Sequence, residues 1–332
     1  MGFKICIIGC GGIATGYHGP SFVQYAATHP DTDLAACCDV DEARAVCFSQ
    51  RFGFARHYTD FRAMLQAERP DAVCLMAPVH LTCELGCEVL RLGYPTLMEK
   101  PPGRTVEEID RLIAAAEAGG APVQVAFNRR YLPLLRDLVR RRDAVLRPEQ
   151  VQHIRYDLTR VGRADPDFST TAIHGIDAVR YLAGADYARI RFHYQQLPAL
   201  GATVANVFMD CAMTSGATAH LEFCPVAGVV VERAAVHAHD HTFFAHIPIW
   251  NAFDAPGMLQ HLVRGALVAE VSGGALSAGH GFEAGGFYAE DASFFDDLRR
   301  GRRPACDLRS ARQSVEVMQC MRERKDEYRQ DG

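Results

Sequence analysis

A chain of 332 residues exceeds what one hydrophobic core ordinarily organises, so two domains are expected. Its 48% hydrophobic and 23% charged residues are those of a globular protein, and a net charge of -5 excludes the basic balance of a nucleic-acid binder. No apolar run reaches the roughly 20 residues that span a bilayer, Met1 to Ile5 lacks an export-signal layout, and the 12 cysteines sit mostly inside apolar runs without a CxxC pair, as small buried hydrophobes of a cytoplasmic protein do.

Phe3 to Ile8 reads as a buried strand and Leu34 to Cys38 as a second. Asp41 to Arg51 predicts a helix, with Asp41 near its N-cap and Gly53 past its end. Asp71 to Ala77 is another strand, Leu81 to Leu92 a helix stopped by Gly93, and Thr96 to Met98 a short strand. Thr105 and Glu108, ahead of Ile109, Leu112 and Ile113, form a capping-box helix start, and Pro122 to Phe127 closes the series. Strands alternating with helices imply right-handed crossovers and a parallel, doubly wound α/β sheet over 1–125.

From 126 to 332 the texture changes. Tyr131 to Arg142 reads as a helix, Val151 to Thr159 as a strand, and Thr171 to Leu182 as a helix after a polar loop. Strands follow at Arg189 to Gln195, Thr203 to Met213, Thr218 to Phe223, Val229 to His237 and Thr242 to Ile247, joined by short turns. That run predicts an α+β domain with a mostly antiparallel sheet. The Gly-rich stretch 251–286 yields no assignment, and helices near Asp291 to Arg300 and Ser310 to Arg324 close the chain.

Gly9-Cys10-Gly11-Gly12-Ile13-Ala14 follows the first strand directly and matches GxGxxA. In such a loop Gly9 permits the tight turn, Gly11 lets the backbone approach a pyrophosphate, and Ala14 allows close helix–strand packing. Gly9, Gly11, Gly12 and Ile13 are therefore candidate cofactor-binding residues. Asp39, ending the second strand 25 residues past Ala14, is the candidate acceptor for a ribose hydroxyl. It would repel a 2′-phosphate, which favours NAD while leaving NADP open. Gly16, Gly19 and Pro20 interrupt the helix expected after the loop.

Glu99-Lys100-Pro101-Pro102 stands at the C-terminal end of a strand of the same sheet, where ligands of open α/β sheets bind. A lysine there can meet a substrate hydroxyl or the cofactor. The order GxGxxA, Asp39, Ala77-Pro78, Glu99-Lys100-Pro101, Asn128-Arg129-Arg130-Tyr131 and His174-Gly175-Ile176-Asp177 resembles the Gfo/Idh/MocA oxidoreductases over essentially the full chain. The resemblance implies that Pro78, Glu99 and Lys100 border the cofactor, that Lys100 orients the reacting hydroxyl, and that His174 is the acid/base. Histidine titrates near neutral pH, as proton exchange with an alcohol requires. Asp177, three residues on, shares a helical face with His174 and either orients the imidazole or packs the helix.

One position departs from the family: Thr170 stands where an aspartate is common, four residues before the histidine. The dyad lacks its usual third member, so a non-catalytic dinucleotide-binding sensor of the same fold stays open beside an NAD-dependent dehydrogenase of sugars or cyclitols. Asn128, Arg129, Arg160 and Arg163 are the candidate substrate residues, Arg160 and Arg163 as a clamp for an anionic group, with pairing to Asp165 or Asp167 as their competing role. His237, His239 and His241 alternate as metal ligands could, but a turn at His239-Asp240 would break their shared face, and no metal is assigned. Val204, Phe208, Leu221 and Phe223 are expected to form an apolar sheet face that a second copy covers, giving a homo-dimer or tetramer.

Overall fold

The computed structural model describes residues 2–250, 252–277 and 281–330; Met1 of the N-terminal reading, and 251 and 278–280 of the unassigned Gly-rich stretch, lie outside them. The chain divides into two units, 1–128 with 287–312, and 129–286 with 313–332. A single boundary at 125/126 therefore leaves out a C-terminal segment that returns to the first unit. No helix of the described residues is long and apolar enough to cross a membrane.

The first unit holds strands β1 (Phe3–Ile8), β2 (Thr32–Cys38), β3 (Arg56–Tyr58), β4 (Ala72–Leu75), β5 (Thr96–Glu99) and β6 (Val123–Ala126). They form one sheet in the order β3-β2-β1-β4-β5-β6, every adjacent pair parallel. Helices α1 (Gly19–Thr28), α2 (Glu42–Phe52), α3 (Phe61–Glu68), α4 (Val79–Arg91) and α5 (Val106–Gly119) make the crossovers. Asp41 caps α2 by accepting from the Arg44 N–H, and Gly53 closes it in the left-handed region. Thr105 likewise accepts from the Glu108 N–H, but the Glu108 carboxylate takes the N–H of Arg104 at 2.6 Å instead of closing a reciprocal box. The strand order reverses between β1 and β4, the switch point where such sheets bind ligands.

The second unit begins with α6 (Pro133–Asp143), β7 (Val151–Thr159) and α7 (Ser169–Ala183). Then come β8 (Tyr187–Gln196), β9 (Ala205–Met213), β10 (Thr218–Cys224), β11 (Val231–Ala238), β12 (His241–His246), β13 (Met258–Val263), β14 (Ala266–Ser272) and the short α8 (Gly281–Ala284). With the terminal β15 (Glu327–Arg329) these strands form a nine-stranded sheet, β14-β13-β12-β11-β7-β10-β9-β8-β15, antiparallel except where β10 lies parallel to β7. Ile154, Tyr156 and Leu158 of β7 and Leu221 and Phe223 of β10 are buried on one side of it. Gly175 of α7 packs there, since a Cβ on it would come within 2.7 Å of the Phe223 ring.

After α8 the chain forms α9 (Phe287–Arg299), which rejoins the first unit, then α10 (Leu308–Arg322) and β15 (Glu327–Arg329). Phe294 and Phe295 of α9 have no exposed surface. The Phe295 ring lies 5.0 Å from Tyr25 and 5.6 Å from Phe22 of α1, so α9 completes the core on that flank of the parallel sheet.

Candidate dinucleotide and catalytic site

The turn after β1 is dictated by what lies next to it. Gly9 has φ +98°, and a Cβ there would stand 2.4 Å from the Met76 carbonyl oxygen, so only glycine fits between β1 and the end of β4. Its N–H donates to the Cys38 carbonyl at 2.8 Å, tying the turn to β2. At Gly11 and Gly12 a Cβ would meet nothing within 4 Å, which leaves open space over the loop for a group that must approach backbone closely. Ile13 packs against the core and Ala14 is fully buried beneath it. Gly16, Gly19 and Pro20 do not break the helix as expected. Ala14–His18 form a π-helical turn that runs straight into α1. Gly19 admits the Phe52 ring of α2, and Pro20 occupies the first turn, where its missing N–H matters least.

Asp39 stands beside this loop. One carboxylate oxygen accepts from the Cys10 N–H at 2.9 Å and the other from the Asp41 N–H at 3.0 Å, fixing the side chain with lone pairs left over for hydroxyl donors. Arg44, the next basic residue along the chain, is paired with Asp41 at 3.2 Å. Pro78 sits at the N-terminus of α4, directly after β4. The donor set and the uncovered glycines suit a dinucleotide pyrophosphate and its ribose.

Lys100 leaves the end of β5, and its backbone N–H donates to its neighbour's carboxylate, Glu99 Oε2, at 2.9 Å. The other oxygen, Glu99 Oε1, meets His18 Nε2 at 3.2 Å, and His18 Nδ1 meets Asp291 of α9 at 2.9 Å. The two partners of His18 lie 81 and 273 residues away in the chain, so nothing local to it announces them. Burial pulls the His18 imidazolium down, yet Asp291 and Glu99 more than offset this and lift its pKa to about 10. Burial raises the Asp291 carboxyl above its ordinary value. Lys100 is also one of only three lysines among 35 basic residues, the other two being Lys4 and Lys325.

In the second unit, α7 is buried along most of its length and carries His174 at 5% exposure. Of the two roles open to Asp177 the structure shows the packing one: its carboxylate receives two bonds from Arg130, at 2.7 and 2.6 Å, and one from Ser314 at 3.0 Å. It is the packing carboxylate of the helix. Thr170 donates back to the Asp167 carbonyl at 3.2 Å, as a hydroxyl near a helix start does. Asn128, 3% exposed, ends the first stretch of the first unit.

The arginine clamp is corrected. Arg129 makes two 3.0 Å bonds to Glu232, and Arg160 reaches the same carboxylate at 2.7 Å. Tyr156 donates to it too. These groups are buried together, a charge cluster that supports β7 and β11 rather than a free anion site. Burial would raise the Glu232 carboxyl, but Arg129 and Arg160 hold it down at about 2. Arg163 takes the competing role, bonding Asp165 at 2.7 Å. The three alternating histidines are split by the turn at Asp240, φ +64°; His237 bonds Thr242 and His241 bonds His261. Nor do Leu221 and Phe223 form an exposed apolar face, because they point to the helix side, and Val204 is buried as well. The opposite side of β7, β9, β10 and β11 carries His153, Phe208, His220 and His237.

The sheet order, the glycine turn and the acid at the end of β2 define a Rossmann domain of the dinucleotide-binding class. Residues 3–127 match the Gfo/Idh/MocA family model, described as an oxidoreductase family with an NAD-binding Rossmann fold. D-glucoside 3-dehydrogenase of Escherichia coli is 30% identical over 128 residues, 39% of this chain and 35% of that protein. The match thus spans about a third of that relative's length. Inositol 2-dehydrogenase of Salmonella typhimurium is 22% identical over 275 residues, 72% of this chain and 79% of that protein. The solved aldose-aldose oxidoreductase of Caulobacter crescentus superposes with a TM-score of 0.81 at 18% identity, over 99% of this chain and 100% of its own.

Proposed function

We propose that this chain is an NAD-dependent dehydrogenase that exchanges hydride with a secondary alcohol or ketone of a sugar, a cyclitol or a sugar derivative. The observation that carries the reading is the loop after β1: glycines left uncovered where a pyrophosphate would lie, with Asp39 pinned beside them. The sugar class rests on the glucoside, inositol and aldose enzymes that this chain is similar to.

NAD, bound at Gly9, Gly11, Gly12, Ile13 and Asp39 with Pro78 and Glu99 at its border, supplies the hydride acceptor. The residues of the chain do the rest. Lys100 holds the reacting hydroxyl through its ammonium and favours the developing alkoxide. His174 receives the hydroxyl proton in oxidation and returns it in reduction. The selectivity for NAD over NADP follows from Asp39, whose charge opposes a 2′-phosphate, and from Arg44, which is engaged by Asp41. A dimer or tetramer formed through the second sheet, in the cytoplasm, belongs to the same reading.

The test is NAD reduction, followed by absorbance, with a panel of polyols, aldoses and uronates, alongside calorimetry with NADH. Turnover on a panel member should fall by roughly 10²- to 10⁴-fold in Lys100→Met and His174→Ala, with NADH still bound. Turnover indifferent to both substitutions would remove the mechanism; absence of any NADH or NADPH binding would remove the function.

A further inference from the structure

Behind Lys100 lies a chain of buried polar groups that neither the cofactor loop nor the dyad uses. It starts at Asp291 on α9, passes through both ring nitrogens of His18, continues through both oxygens of Glu99, and ends on the N–H of Lys100. His18 and Asp291 have no exposed surface, and Glu99 is 8% exposed. The rings of Phe287, at 5.3 Å, and Phe22, at 5.9 Å, wall the imidazole from solvent. Every link belongs to the first unit.

We propose that His18 is a positioning residue for Lys100: clamped between Asp291 and Glu99, its imidazolium fixes the carboxylate that receives the Lys100 amide and so sets the direction in which the lysine leaves β5. This rests on the reading of Lys100 as the hydroxyl-orienting group.

The chemistry requires a proton in this array. A histidine whose two nitrogens both face carboxylates makes two good hydrogen bonds only if both nitrogens carry hydrogen, or if one carboxylate does. The charged and titratable groups around the ring are Asp291 and Glu290 from α9 and Glu99 from β5. The Cys74 thiol of β4, near Asp291, is pushed well above its ordinary value by burial and stays neutral. Acids thus outnumber cations around the ring, which favours the imidazolium, in line with its raised pKa. Held as a cation, it neutralises Glu99 without any movable counter-ion. Without it, the Glu99 carboxylate is a buried charge with one fixed partner lost, and its hold on the Lys100 amide loosens. The same His18, Glu290 and Asp291 have ligand atoms within 4.8 Å of one another, as metal sites do. A metal would have to displace a proton from a ring whose two nitrogens are already satisfied.

With three lysines in the chain, isotope-labelled lysine gives three backbone amide signals, and Lys100→Arg identifies the one from Lys100. In the wild-type protein, histidine-labelled spectra should show His18 protonated on both nitrogens through pH 8. In His18→Gln the Lys100 amide should move while the Lys4 and Lys325 amides stay. NADH affinity should change by less than about threefold, whereas kcat on the best panel substrate falls about tenfold or more with KM little altered, and the pH profile of kcat shifts. Should His18→Gln fail to fold, Asp291→Asn removes the charge behind the ring and should move the same amide. A Lys100 amide and a pH profile unmoved in a folded variant, with only a lower melting temperature, would overturn the proposal. So would one equivalent of zinc retained after dialysis. If the wild-type protein binds no dinucleotide, the functional reading fails, yet the amide and histidine spectra still decide whether His18 positions Lys100.

Discussion

Glu232 shows how a charged side chain with no motif around it comes to govern stability. It is fully buried and balanced by Arg129, Arg160 and Tyr156. Glu232→Gln would leave two buried guanidinium groups sharing one neutral partner, and breaking a buried ion pair from one side typically destabilises by about 3–5 kcal/mol. Urea unfolding should report a loss of that order, where an exposed carboxylate such as Glu84 should report almost none. The pH dependence follows in sign. The carboxyl lies at about 2 in the fold against an ordinary 4.5, so its contribution is complete above pH 4.5 and disappears as pH falls from 4.5 to about 2. In Glu232→Gln the corresponding part of the acid-induced loss should vanish. Gly9 is the opposite kind of residue, with no charge and no side chain. Gly9→Ala places a methyl against the Met76 carbonyl in a left-handed backbone, and NADH binding measured by fluorescence quenching should be lost with it. Lys100 was legible from its place after a strand. Its rarity adds a chemical argument, because in a chain that otherwise uses arginine so heavily an amine at this position offers a compact, titratable donor that a guanidinium does not.

Elements with one buried face were readable, and elements without one were not. Val151 to Thr159 largely alternates apolar and polar residues and is β7 to the residue, while Phe3 to Ile8, apolar but for Lys4, is β1. The hairpin of β13 and β14 leaves no mark in its Gly-rich sequence because β14 is an edge strand with Ala266, Leu267 and Val268 all exposed, so neither face leaves a pattern. Three-residue β3 and β15 are edge strands too short to show a period. Sequence does not reveal which side chains pair between elements: Asp177 and Arg130 lie 47 residues apart, and nothing local announces their bond. Caps are local, and there the reading of sequence is quantitative. Thr105 accepts the Glu108 N–H at the start of α5, so Thr105→Ala should lower stability by about 1 kcal/mol in urea unfolding. NADH affinity should be unchanged, since the cap touches nothing in the cofactor loop.

The division of the chain has a consequence for what folds alone. A domain ending near residue 125 was the natural expectation, because alternation of strands and helices stops there and antiparallel texture begins. Yet the first unit is finished by residues that follow β7 to β14, eight of the nine strands of the second sheet: Phe294 and Phe295 fill its core, Asp291 bonds His18, and Arg299 pairs with Asp31 across 268 residues. Texture could not reveal this, since an amphipathic helix near the C-terminus carries no mark of the sheet it will cover. A fragment of residues 1–128 would expose the surfaces of Phe22 and Tyr25 that α9 buries, and would leave the two carboxylate-facing nitrogens of His18 with one partner. Each buried phenylalanine is worth about 1.5–3 kcal/mol, so losing two removes a large share of the 5–15 kcal/mol that holds a typical domain. The fragment should lack cooperative urea unfolding and dispersed amide signals. Joining residues 287–312 to it through a flexible Gly/Ser linker should restore both, together with NADH binding. A fragment 1–128 that unfolds cooperatively and binds NADH without that segment would show that α9 is a passenger on this domain and not part of its core.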